Sequence, residues 1–242
     1  MKKLLFLILP VFILAAAPQI PTVNLSLTAP KTPEQLVTVL NVTILLTLLA
    51  LAPSIILVMT SFVRLLVVFS FLRQAMGTPQ SPPTTLLVSL ALVFTFFIME
   101  PYVKKSYNTA IKPYIEEKIG YEEAFNKAVK PFKKFMIKNT REKDLALFFR
   151  IRHLPNPKTI DDVPLSILVP AFMLSELKTA FEIGFLVFLP FLVIDMVVSS
   201  VLMSLGMMML PPVMISLPFK ILVFVLVDGW NLIVMGLVQS FK

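Results

Sequence analysis

Four apolar stretches and one charged stretch divide this chain. After a Pro-rich polar segment from Pro18 to Glu34, apolar residues run from Leu36 to Leu72 with a single charge, Arg64. At about 1.5 Å per residue, a continuous helix over that run would reach roughly 55 Å, well beyond a hydrocarbon core of about 30 Å. The pattern predicts either a break or kink at Pro53 or a helix largely buried in protein. A segment rich in breakers follows from Gln74 to Pro83, with Gly77, Pro79, Pro82 and Pro83, and must reverse the chain. The second apolar run, Leu86 to Met99, closes at Glu100 and Pro101.

From Lys104 to Val163 the pattern changes. Tyr121, Phe125, Ala128, Val129, Phe132, Phe135 and Met136 recur at helical spacing among Lys and Glu, which predicts an amphipathic helix packing onto the rest of the protein, kinked at Pro131. A short helix is expected over Glu142 to Arg152, with Leu145, Leu147, Phe148 and Ile151 as its apolar side and Pro155 and Pro157 as its stop. The third apolar unit begins near Pro164, carries a polar patch at Glu176, Lys178 and Glu182, and runs apolar from Ile183 to Leu205. Lys178 and Glu182 are four apart, the spacing of a pair along one helix face. Gly206 to Pro212 makes a second turn, and a fourth unit from Val213 to Phe241 contains Lys220 and Asp228.

These elements predict an all-α membrane protein of two hydrophobic helical hairpins, four membrane-type helices in all, with an extracytoplasmic helical insert and an N-terminal signal peptide. The expected divisions are a signal peptide at 1–17, an exported segment at 18–35, a first hairpin at 36–103, the insert at 104–163 and a second hairpin at 164–242. Met1-Lys2-Lys3, the apolar run Leu4–Ala17 and its Ala15-Ala16-Ala17 end have the layout of a secretory signal, and 14 residues are too few to span comfortably. With an exported N-terminus, four crossings put both Pro-rich turns inside and the insert and C-terminus outside. Arg64 and Arg73 near the first turn agree with the positive-inside tendency.

Composition sharpens this picture. The chain is 57% hydrophobic with a mean hydropathy of +0.87, far above a soluble domain. Fourteen of the 22 Lys and Arg, and eight of the 14 acids, lie between Lys104 and Val163, so most of the net charge of +8 belongs to the insert. Such a surplus suits nucleic acid, anionic lipid or an acidic partner, but the mixed signs fit an ordinary solvated helical face better. With no Cys, and His153 alone in a basic surface stretch, neither a disulfide framework nor a His/Cys metal site is available, and no cofactor is expected.

Charges inside apolar helices cost about 2.5 to 3.5 kcal/mol each at the bilayer centre, so Arg64, Asp195, Lys220 and Asp228 need partners or a watery surface. Counted from a turn centred near Met209, Asp195 lies 14 residues away and Lys220 lies 11, which places them within roughly 5 Å of the same depth on antiparallel helices. Such a pair could fix hairpin register or form a charged site in a transport path, and spacing leaves both open. Met207, Met208 and Met209 stand before Leu210-Pro211-Pro212. Ordinary core or lipid-facing packing is the commoner role of such residues; a soft lining closing around varied substrates is the alternative, toward which consecutive positions that cannot share one helix face lean only slightly. Asp195 and Asp228 fall at different depths, and Leu226-Val227-Asp228-Gly229 lacks the Gly-x-Gly-Asp pattern of intramembrane aspartyl proteases. Neither a phosphate-binding loop nor a Ser-His arrangement is present. The intramembrane charges motivate small-solute or proton transport as one functional class.

Long stretches resemble the FliP family of flagellar membrane proteins: Pro53 to Gly77, Pro170 to Phe185, Met207 to Pro212, and Ser216 to Trp230. Virulence-system export-gate subunits are more distant relatives, and the signal peptide favours the flagellar branch. The resemblance implies a non-enzymatic core subunit of the flagellar type III export gate in the bacterial inner membrane. It also implies assembly with FliQ-like and FliR-like subunits and with other copies of the chain in a pentameric ring, passing unfolded export substrates and binding no nucleic acid. On that resemblance the family's methionine-rich constriction maps onto Met207, Met208 and Met209, and its charged hairpin residues onto Asp195 and Lys220.

Overall fold

The computed structural model describes residues 33–155, 157, 159, 162–207 and 209–241. The expected signal peptide and nearly all of the exported segment lie outside the described residues, as does Met208. The described residues are helical throughout, with connecting turns. The helices are α1 (Pro33–Val58), α2 (Phe62–Ala75), α3 (Thr84–Ser106), which continues through a π-helical turn at Tyr107–Ile111 into α4 (Lys112–Ile115), α5 (Tyr121–Asn139), α6 (Glu142–Ile151), α7 (Leu165–Ser204), α8 (Pro212–Leu226) and α9 (Gly229–Gln239). Among the described residues, three helical stretches are long and apolar enough to cross a membrane, Leu36–Ile55, Thr84–Ile115 and Leu165–Ser204. The α8–α9 pair, bent by 65°, is a fourth if taken as one broken span.

The chain divides between Thr47 and Leu48 into two units. Within the first, the start of α1 exposes Leu36, Val37, Leu40 and Ile44. Its Thr43 hydroxyl donates back to the Val39 carbonyl at 2.8 Å, the local bond that satisfies a hydroxyl in an apolar helix.

The first apolar run does not break at Pro53, which α1 accommodates. It breaks at Met59–Ser61, where the Thr60 hydroxyl donates to the Leu57 carbonyl at 2.8 Å and competes with the helical ladder. Beyond the break, α2 buries Leu65, Val68, Phe69 and Leu72. This half of the overlong run is therefore a protein-embedded helix.

The second unit is organised on α7, which packs against α2, α5, α6 and α8. Three apolar clusters lie along it. The first joins Ile167, Leu168 and Phe172 of α7 to Met99, Phe135, Met136, Phe149 and Phe241. The second gathers Ala180 with Leu65, Val68, Phe69, Leu87, Ala91 and Leu237, and the third Phe191 with Leu72, Ala75, Met76 and Phe224. Helix α2 lies so close to α7 that a Cβ on Gly184 would stand 2.5 Å from Cδ2 of Phe71. Only glycine fits that crossing without the ring moving.

The amphipathic stripe of α5 splits in two. Phe135 and Met136 enter the protein's own core, where Phe135 meets Tyr102 edge-on at 5.0 Å, whereas Tyr121 and Phe125 at the other end stay exposed. The fourth apolar run, expected as one helix, is interrupted at Val227–Asp228. Asp228 adopts φ 51, ψ 52, and a Cβ on Gly229 would fall 2.3 Å from the Phe224 ring. The bend carries α9 back so that Leu237 and Phe241 join the clusters built on α2, α3 and α5.

Candidate functional site

Helix α7 ends in a turn that displays the methionine segment. Gly206, at φ 73, donates its N–H to the Met203 carbonyl at 3.1 Å, and the Met207 N–H donates to Leu202 O at 3.0 Å. This paired closure satisfies the last helical carbonyls and needs a left-handed residue, which glycine supplies without a Cβ clash. The chain then leaves the helix axis at Met207, and Pro211 and Pro212 start α8 with fixed φ. Met207 is exposed, and Met209 is 97% exposed. Both side chains stand clear of the protein's own core.

Deeper in the same hairpin, Lys220 Nζ lies 2.6 Å from Asp195 Oδ2. Lys220 is 4% exposed and Asp195 33%, so the cation is enclosed while the carboxylate faces partly outward. Two neighbours that spacing did not supply complete the cluster. The Ser216 hydroxyl lies 2.5 Å from Asp195 Oδ1, and Lys220 donates to the Ala75 carbonyl at 3.1 Å. Ser216 is one turn before Lys220 on α8, a signal available in the sequence. Ala75 closes α2, and no sequence pattern points to it.

Arg64 has a separate partner. Its Nε donates to Glu176 Oε2 at 2.8 Å, Nη2 bonds Glu176 Oε1, and Nη1 reaches the Ser240 hydroxyl at 2.9 Å and the Ser240 carbonyl at 3.2 Å. The guanidinium also sits over the Phe241 ring, 3.8 Å from its centroid. Both charged side chains are buried, and the forked geometry satisfies each carboxylate oxygen, which an ammonium could not do. Glu176 belonged to a polar patch in the sequence, but its partner is 112 residues away.

The remaining polar residues of α7 receive the insert. Lys178 and Glu182 do not pair with each other. Lys178 bonds Asp144, whose other oxygen accepts from the Ser175 hydroxyl at 2.7 Å. Glu182 accepts from Arg141 Nη2 at 2.7 Å. Burial pushes the Asp144 carboxyl upward, but bonds from Lys178 and Ser175 and the charges of Lys178 and Arg141 outweigh it and hold it below its ordinary range. Arg141 is raised chiefly by its bond to Glu182. Tertiary packing supplies α6 partners that a lone α7 would lack, so the four-residue pairing is not used.

Asp228 is not a charge enclosed within a helix. It is exposed at the α8–α9 break, with Asn231 Nδ2 donating to its Oδ2 at 3.1 Å. Among the described residues, no cluster of three His, Cys, Asp or Glu can hold a metal ion.

Residues 45–237 match the FliP family. The chain belongs to the FliP family. The flagellar biosynthetic protein FliP of Bacillus subtilis (strain 168) is 54% identical over 209 residues, covering 86% of this chain and 95% of that protein. The Caulobacter vibrioides protein of the same name is 55% identical over 198 residues, 82% of this chain and 74% of its own length. That of Aquifex aeolicus is 50% identical over 209 residues, 86% and 87% of the two chains. As a FliP family member the chain is a subunit of the flagellar type III export gate, a multi-pass protein of the bacterial inner membrane with a transport role and no catalytic one.

Proposed function

We propose that this chain forms a gated channel for unfolded flagellar proteins together with FliQ-like and FliR-like subunits and further copies of itself in a pentameric ring, and that Met207, Met208 and Met209 close it. The observation that carries this is the display of Met207 and Met209 at a hairpin tip whose backbone is fixed on both sides, by the Gly206 closure and by Pro211-Pro212. Unbranched, polarizable side chains on a rigid support yield to varied substrates and return to contact when the substrate has left.

Assembly is supported by the length of α7. Its 40 residues reach about 60 Å, twice a hydrocarbon core. Phe181, Phe185, Leu186, Val193 and Val197 are exposed along it over about 24 Å, an apolar face open to neighbouring copies or lipid. In this reading the first hairpin comprises 36–103 and the second 164–242, with α8 and α9 as one broken crossing. The insert at 104–163 lies outside the cytoplasm after removal of the signal peptide.

The test is a triple alanine replacement of Met207, Met208 and Met209. Core methionines would cost about 2 to 5 kcal/mol each on truncation and reduce the yield of complex. Exposed ones should leave yield normal while the closed assembly becomes leaky to small ions. Low yield, or normal yield without leakage, would reject the closure.

A further inference from the structure

We infer that the insert of one copy docks head-to-tail on the next, an aromatic and acidic tip at Glu117–Phe125 entering a lysine-rimmed groove between α5 and the end of α3. This rests on the ring proposed above and names the contact that closes it.

The groove has a volume of about 860 Å3 and is lined by six lysines, among them Lys105, Lys134 and Lys138, with Pro131 and Ile137 in its wall. That size falls within the roughly 300 to 1,000 Å3 of sites that enclose a substantial ligand. Lysine stems give it an apolar wall while the ammonium groups stand at its edge. It therefore suits an occupant with an apolar centre and an acidic border.

The same insert carries a surface of that description. Tyr121 and Phe125 stack at 6.5 Å between centroids and are 73% and 54% exposed, although both are large apolar anchors of the kind that interfaces bury. Glu117 lies four residues before Tyr121 and Glu122 directly after it, both exposed. Glu116 and Glu123 already bond Lys118 and Lys127 within the chain, which leaves Glu117 and Glu122 as the acids of the tip used here. Glu117 also sits at φ 57, a left-handed conformation that a glycine adopts more readily than an L-residue with a side chain.

Tip and groove are different patches of one chain, so their contact is heterologous, and heterologous contacts close into rings when the rotation permits. A lipid headgroup would match the lysines but not the aromatic tip. The exposed face of α3 at Val93, Phe96 and Val103 also lies on the opposite side of that helix from Lys105 and Thr109, so acyl chains on that face would not lead into the groove.

The experiment uses the full chain co-expressed with its FliQ-like and FliR-like subunits. E117K/E122K and K134E/K138E should each lower ring yield by about five- to tenfold at low salt. Placing all four substitutions in one chain should restore the ring, because every interface then meets with its signs exchanged. The chain contains no native cysteine, so E122C with K134C should give an oxidant-dependent ladder of multimers. Rings unaffected by either reversal, or a fourfold variant no better than the double variants while still present in the membrane, would overturn the contact. Reduced export with an intact ring after K134E/K138E would assign the groove to an acidic segment of another protein and overturn it as well. Failure of the unaltered chain to associate with any partner would instead reject the underlying gate assembly.

Discussion

The ammonium of Lys220 lies 3.1 Å from the carbonyl oxygen of Ala75, the last residue of α2, while the same nitrogen holds Asp195 at 2.6 Å. One side chain thus joins the C-terminal end of α2 to the α7–α8 hairpin and offsets the partial negative charge at a helix C-terminus. The pair therefore does more than set the register of its own hairpin.

This arrangement makes the two partners unequal. Asp195→Ala leaves an enclosed ammonium without its carboxylate and should cost about 3 to 5 kcal/mol. Lys220→Met leaves a carboxylate that is partly exposed and still bonded to Ser216, so its effect should be smaller. The exchange D195K/K220D should recover only part of the loss, because an aspartate at 220 would face the Ala75 carbonyl, acceptor against acceptor. Complex yield and motility of the three variants decide the order; full recovery by the exchange would remove Ala75 from the argument.

Arg64 should not tolerate lysine. A lysine cannot bond both Glu176 oxygens, reach Ser240 and cover Phe241 at once. Arg64→Lys and Glu176→Gln should each lower the thermal stability of the detergent-solubilised protein, with Arg64→Met worse by about 3 to 5 kcal/mol than the unaltered chain. Equal melting of Arg64→Lys and the unaltered protein would show that a single point charge suffices.

Seating of α6 on α7 should weaken in acid. The Asp144 carboxyl is held below its ordinary value, so its contribution is complete above the unfolded value near about 3.9 and is lost as pH falls through the lower folded value. Protease sensitivity of the insert should rise below about pH 4. Asp144→Asn should show the higher sensitivity at neutral pH and lose this pH dependence. An unchanged acid profile in Asp144→Asn would assign the transition to other carboxylates.

Gly184→Ala should be destabilising by about 1 to 3 kcal/mol, since the added methyl meets both the Phe71 ring and, at 3.1 Å, its Cβ. Phe71→Leu in the same chain should restore part of the yield. No improvement in the double variant would mean that the helix backbones, rather than the ring, resist the methyl.

The sequence by itself determined what can be counted along one helix or across one turn. Hydrophobic runs located the long helices, Gly206 and Pro212 bounded the hairpin tip, and the distances of Asp195 and Lys220 from that turn put them level, because helical rise is constant and the turn is short. What the tertiary structure decided depends on which helices meet. Glu176 could not be assigned to Arg64, nor Asp144 to Lys178, because contacts over 112 and 34 residues follow from the packing of α2 and α6 on α7 and not from any local period. The break at Asp228 is of the same kind. An aspartate in an apolar run resembles an isolated buried charge, and it becomes a corner because α9 must turn back for Phe241 to reach Arg64 and Phe135.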